Sequence, residues 1–97
     1  MSIKEDILNT LRALKPELTA RYKVKQIGLF GSFVREEQTQ TSDIDILVEF
    51  EAPIGLFKFL ELEEYLEARL GRNVDLVSRK ALKPRIGRHI LQEVLII

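Results

Sequence analysis

At 97 residues with 45% hydrophobic side chains, the chain carries apolar material for one small core, a single domain over residues 1–97 with no room for a second, substrate-selecting domain. Fifteen basic and fifteen acidic side chains cancel to a formal charge of zero, which argues against a globally basic nucleic-acid binder, and the lack of cysteine excludes disulfides and thiolate-bound metal. No apolar run reaches the ~20 residues that cross a bilayer, and the N-terminal MSIKEDILNTL interrupts its apolar residues with charge, so the expectation is a soluble cytoplasmic protein with no membrane partner.

Ser2 and Glu5 are spaced as a capping box, and Ile3, Ile7, Leu8, Leu11 and Leu14 follow at helical spacing. Pro16 lacks the amide a continuing helix needs, so the spacing predicts a break there and a new short helix over 16–22. Residues 24–30 (VKQIGLF) read as a strand, with Gly28 marking a close approach of backbone or a packing helix. After the Gly31-Ser32 pair, 32–36 should make one or two helical turns, and 37–42 (EQTQTS), polar and aperiodic, a loop. Residues 44–50 (IDILVEF) predict a second strand, with Asp45, Leu47 and Glu49 on one side and Ile44, Ile46, Val48 and Phe50 on the other.

Pro53 and Gly55 punctuate the chain before its longest helix, 56–70. Leu56, Phe59, Leu62, Leu66 and Leu70 define the inward stripe, Glu61, Glu63, Glu64 and Glu67 a solvated face, and Gly71 a left-handed cap. A third strand follows at 73–77 (NVDLV), with Val74 and Leu76 on one face and Asp75 on the other. Arg79, Lys80, Lys83, Arg85, Arg88 and His89 form a basic run leading into a last helix over 84–94, with Ile86, Ile90 and Val94 inward. The apolar tail 95–97 is either a short edge strand or a contact surface.

Three features carry chemistry. A strand running through Gly31-Ser32 into a helix presents backbone N–H groups at the helix start, which suits a phosphate; Ser32 and Arg35, three apart, share a helical face and can address the same group. Asp43 and Asp45 are two apart, so both carboxylates leave the same side of a strand with Cα atoms ~7 Å apart. Such charges repel, and a divalent cation is what usually holds both ionised. Asp75, the one acid in an apolar strand, has a comparable setting. The bland alternatives are a turn residue (Asp43), exposed strand acids (Asp45, Asp75), an ion pair of Arg35 with Glu36, Glu37 or a neighbouring helix, a solvated basic run, and a helix-surface His89.

Gly31-Ser32, then Arg35, then Ser42-Asp43-x-Asp45 closely resembles the G-S-x-x-R…S-D-x-D signature of the minimal nucleotidyltransferases, small members of the DNA polymerase beta superfamily, and the resemblance runs from KPELTARYKVKQIGLFGS to NVDLV. It implies an α/β (α+β) fold: a small mixed sheet with helices packed on one face and the three aspartates exposed on the other. It implies nucleotidyl transfer with two Mg²⁺ ions on the catalytic acids Asp43, Asp45 and Asp75, ATP as donor, and Gly31, Ser32, Arg35 and Ser42 at the nucleotide. It further implies a small helical HEPN-type toxin as partner, with a toxin tyrosine as acceptor and this chain as antitoxin. Arg85, Arg88, His89 and the tail are the candidate docking surface, and a homo-oligomer stays open. The alternative is a catalytically inactive module that neutralises its partner by masking it. Glu36 stands where many members of that family carry Gly.

Overall fold

The first apolar stripe runs straight through Pro16. In the computed structural model, which describes residues 3–97, α1 spans Ile3–Tyr22 without the break that Pro16 predicts. A mid-helix proline costs about 3 kcal/mol through its missing amide and its clash with the preceding turn. Here Pro16 faces solvent, where water can serve the freed carbonyl, while Leu14, Leu18 and Tyr22 are buried along the continuing face. Each such burial contributes about 1.5–3 kcal/mol, so the stripe outweighs the proline. The Ser2 half of the expected capping box lies outside the described residues.

Lys23, in the left-handed conformation (φ 59°), turns the chain from α1 into β1 (Val24–Phe30). There follow α2 (Ser32–Arg35), β2 (Ile44–Phe50), α3 (Gly55–Leu70), β3 (Val74–Ser78), a 3₁₀ turn at Arg79–Ala81, α4 (Pro84–Glu93) and β4 (Leu95–Ile96). The four strands form one sheet in the order β3-β2-β1-β4. β1 is antiparallel to both β2 and β4, whereas β2 and β3 are parallel. Parallel neighbours cannot be joined by a hairpin, and α3 supplies the crossover. The fold is the expected α/β mixed sheet.

Alternation decides the faces. Ile44, Ile46 and Val48 are 0% exposed and pack, with Ile27 and Leu29 of β1, against Leu11 and Leu18 of α1 and Leu62 and Leu66 of α3. The opposite face carries Asp45, Leu47 and Glu49, and it is not bare. The junction of α4 and β4 crosses it so closely that a Cβ on Gly28 would sit 2.7 Å from Val94 Cγ2 and 2.8 Å from the Leu95 carbonyl oxygen. That is the close approach the glycine announces. Leu47 is buried beside Leu91 and Ile96, under the same crossing.

Two expected inward stripes are only partly inward. On α3, Leu62 and Leu66 are buried, but Leu56 is 68% exposed, because the first turn of the helix overhangs the sheet. On α4, Ile86 is 59% exposed and Ile90 and Val94 are half-covered. The one buried residue of that helix is Gly87, packed on Leu82. Gly71 caps α3 as expected (φ 71°), its N–H donating to the Glu67 carbonyl at 2.9 Å. The glutamates of α3 are more than a solvated face: Val74 N–H donates to Glu67 Oε2 (2.9 Å) and Leu76 N–H to Glu63 Oε2 (3.2 Å). These are outward amides of β3, which an edge strand would otherwise leave unpaired.

Candidate active site

The site begins where β1 ends. Gly31 adopts φ 80°, a conformation that side chains resist, and a Cβ there would collide with the Asp45 carboxylate. The glycine is therefore required twice, by the turn into α2 and by the acid packed against it. The sequence assigns Gly31 to a phosphate; the space that a side chain on it would fill is taken by the Asp45 carboxylate. α2 is one turn long and ends at Glu36, which takes the left-handed conformation (φ 58°). A position that needs this conformation explains the Gly of many family members, and here Glu adopts it.

Asp45 is half-buried on β2. Parallel register sets Asp75 of β3 directly beside it, and antiparallel register sets Phe30 of β1 on its other side. Adjacent strands lie ~4.8 Å apart, so the two carboxylates project from neighbouring positions on one face. Asp43 sits at the mouth of β2, where Ile44 N–H donates to the Asn73 carbonyl (2.9 Å) and ties the entrances of β2 and β3 together. The Asp45 pKa is raised to about 6, first by burial, then by the charges of Asp75 and Asp43; Arg35 opposes the rise and Glu93 adds to it.

Among the described residues no three carboxylate or imidazole groups converge into a closed metal cage. The donor set nonetheless fits a hard divalent ion such as Mg²⁺. It is all oxygen and spread over adjacent strands, and its most buried member, Asp45, has a pKa raised to about 6 by burial and by the charges of Asp75 and Asp43, a cost that a nearby cation would relieve.

The remaining assigned residues lie close by but are differently engaged. Ser42 closes the loop before Asp43: its hydroxyl accepts from Thr39 N–H (2.8 Å) and its own N–H donates to the Thr39 carbonyl (3.2 Å). Ser32 opens α2, half-covered, and its carbonyl accepts the Glu37 N–H (2.9 Å). Arg35, although exposed, is held by two carboxylates. Its Nε donates to Glu37 Oε1 (2.9 Å), and its Nη1 donates to Glu93 Oε1 and Oε2 (2.9 and 3.1 Å). Glu93 Oε2 also accepts the Gly31 N–H (2.8 Å).

Glu93 is the residue that motif reasoning misses. A signal exists in the sequence: it is the one acid in the basic helix α4, at the helix C-terminus, where a negative charge opposes the dipole unless a partner holds it. His89, Arg85 and Arg88 lie exposed on α4, apart from these contacts. An apolar cleft of about 300 Å³, lined by Phe50, Pro53, Ile54, Leu56 and Phe59, lies at the other end of β2. It is five residues from Asp45, roughly 16 Å along the strand, and is separate from the carboxylate site.

The nucleotidyltransferase domain pattern matches residues 11–97. The chain is 53% identical over 90 residues to the protein adenylyltransferase MntA of Thermococcus cleftensis, spanning 93% of this chain and 91% of that protein. A solved structure described as a minimal nucleotidyltransferase superposes with a TM-score of 0.80 at 35% identity, covering 98% of this chain and 95% of the other. A toxin–antitoxin crystal structure with AMP-PNP superposes with a TM-score of 0.71 at 27% identity, covering 96% and 70% respectively.

Proposed function

The chain belongs to the nucleotidyltransferase domain family, and from that premise we propose that it transfers AMP from ATP to a hydroxyl group of a partner protein. The observation that carries the reading is the register of β2 and β3, which sets Asp75 beside Asp45 on the face where Asp45 packs against the Gly31 turn. Carboxylates on adjacent strands, next to a glycine turn with a serine and an arginine, are what a metal-bound triphosphate needs.

In this assignment Asp43 and Asp45 would hold both Mg²⁺ ions, and Asp75 would help hold the one at the acceptor. Divalent metal in such a site stabilises the attacking and leaving oxygens of an in-line displacement together. The acceptor hydroxyl loses its proton to solvent, its oxygen bonds to the α-phosphorus, the bond from phosphorus to the bridging oxygen breaks, and pyrophosphate leaves. Ser32 and Arg35 orient the β- and γ-phosphates, the guanidinium fork offsetting the charge that builds on pyrophosphate. Ser42 keeps the loop closed so that Asp43 enters β2 at the correct height, with its hydroxyl near the nucleotide.

A protein acceptor is supported by the name of the Thermococcus relative, and a toxin partner by the toxin–antitoxin relative. The finer assignment is a small helical HEPN-type toxin with a tyrosine hydroxyl as acceptor, this chain being the antitoxin. The exposed basic side chains Arg85, Arg88 and His89 and the exposed Leu95 and Ile96 of β4 are the docking surface. One observation favours a second reading, a masking module without catalysis: Arg35 is already engaged by two glutamates. Incubation with ATP, Mg²⁺ and the product of the neighbouring gene, followed by intact mass spectrometry of that partner, separates the two. Mass increments of AMP that disappear with Asp45→Asn support transfer. Tight inhibitory binding without any increment supports masking, and no interaction overturns the partner assignment.

A further inference from the structure

Glu93 stands between the last helix and the turn that the proposed function gives to the triphosphate. Its carboxylate takes a bidentate hold on Arg35 Nη1 and accepts the Gly31 N–H, so one anion occupies both a guanidinium and a main-chain donor at the start of α2. It is three-quarters covered, while Arg35 is half-exposed. Its position is set by the backbone beneath: Gly28 lets the α4–β4 junction lie on the sheet, β4 pairs with Gly28 and Leu29, and the end of α4 is thereby held over the Gly31 turn. Nothing in the helix itself rewards a carboxylate there, since the C-terminal end of a helix favours cations.

We infer that Glu93 is an internal anion filling the place of a terminal phosphate, so that a polyphosphate binds only by displacing its carboxylate from Arg35 and Gly31. This rests on the nucleotide reading of the Gly31–Arg35 turn. Displacement is a charge exchange: an incoming tripolyphosphate, carrying several negative charges and metal, can outbid one carboxylate for a guanidinium, whereas a single phosphate ester gains little over it. Glu93 thereby selects ligands by the length of their phosphate chain. The swing needs only side-chain rotation, and the displaced carboxylate then faces the bound polyphosphate as a like charge. Nucleotide affinity is lowered by that repulsion, which also favours release of pyrophosphate after transfer.

The test is isothermal titration of the full chain, without partner, using Mg²⁺-ATP, Mg²⁺-tripolyphosphate and Mg²⁺-AMP against wild type, Glu93→Gln and Glu93→Asp. Removing a charged hydrogen-bonding competitor should tighten ATP and tripolyphosphate binding by about tenfold in Glu93→Gln. AMP binding should stay near its wild-type value. Glu93→Asp, which keeps the charge but withdraws it by one methylene, should fall between, and it keeps the experiment decisive if the glutamine variant folds poorly. If Glu93 merely holds Arg35 in place, both variants bind ATP and tripolyphosphate more weakly, and the inference is overturned while the nucleotide site stands. Equal affinities across all three proteins overturn it in the same way. No binding of ATP to any of them overturns the nucleotide reading itself.

Discussion

Alternate residues of β2 face two different environments. Ile44, Ile46 and Val48 are fully buried against α1 and α3, whereas Asp45, Leu47 and Glu49, each one residue away, face the side crossed by α4. The first face is aliphatic and tolerates nothing charged. The second gathers Asp45 and Asp75 beside the contacts of Glu93. The difference teaches that cohesion and chemistry share one strand but not one face, so substitutions on the two sides should move different observables, and at Asp45 in opposite directions.

The largest expected effect lies on the charged side. Asp45→Asn should lower AMP transfer about a thousandfold, the scale for removing a preorganised charge from a reacting centre. The same change should raise the melting temperature of the metal-free protein at pH 7.5, because it removes a half-buried charge repelled by Asp43 and Asp75. Wild-type turnover, or a lowered melting temperature in EDTA, would break the contrast. On the aliphatic side, Leu11→Ala, beneath the same strand, should cost about 2–5 kcal/mol in urea unfolding. Transfer per folded molecule should remain near wild type; a specific loss of catalysis would show that the faces are coupled.

The pH dependence sharpens the comparison further. Because the folded-state pKa of Asp45 is raised to about 6, the native chain holds that proton more tightly than the unfolded chain, where the carboxyl has its ordinary value of 3.8. Stability attributable to Asp45 should therefore rise as pH falls through about 6 and level off below 3.8. The difference between wild type and Asp45→Asn, followed by thermal melts in EDTA from pH 8 to about pH 4.5, should narrow accordingly. A gap that widens on acidification would reverse the sign and remove burial and repulsion as its cause. The smallest effect belongs to the glutamates of α3. Glu67→Ala should cost about 1 kcal/mol through its hydrogen bond to Val74 N–H and leave ATP affinity unchanged. A fall in affinity with this variant would mean that β3 shifts and carries Asp75 with it.

Strands were legible in the sequence because short runs rich in Ile, Leu, Val and Phe, bounded by polar residues, are a strong local signal: β1 and β2 run over Val24–Phe30 and Ile44–Phe50, as expected, and β3 is displaced by one residue. Pro16 misled because the cost of a proline is local, whereas the burial of Leu18 and Tyr22 that offsets it depends on a sheet met later in the chain. Leu56 misled for the converse reason, since helical period says which residues share a side but not where the neighbouring layer ends. Asp43 and Asp45 stand out by their spacing and Asp75 as the one acid of an apolar strand, and the register brings Asp75 beside Asp45. Glu93 was hidden by its 62-residue separation from Gly31, a contact that only the crossing of the α4–β4 junction creates.

The two hydrogen bonds from β3 to α3 work together as a ruler. Four residues of helix rise ~6 Å, and two residues of strand span ~6.6 Å. Glu63 and Glu67, four apart, thus match Leu76 and Val74, two apart, and gauge the strand against the helix. A slip of one residue that keeps the ladder to β2 would turn Asp75 into the apolar layer while bringing Val74 and Leu76 out, with the two carboxylates left to hold the amides of neighbouring residues. The connection at 71–73 is consequently locked in phase despite its exposed position. Removing one residue from it forces a choice between the hydrophobic layer and the third carboxylate, whereas a paired two-residue change can keep the alternation.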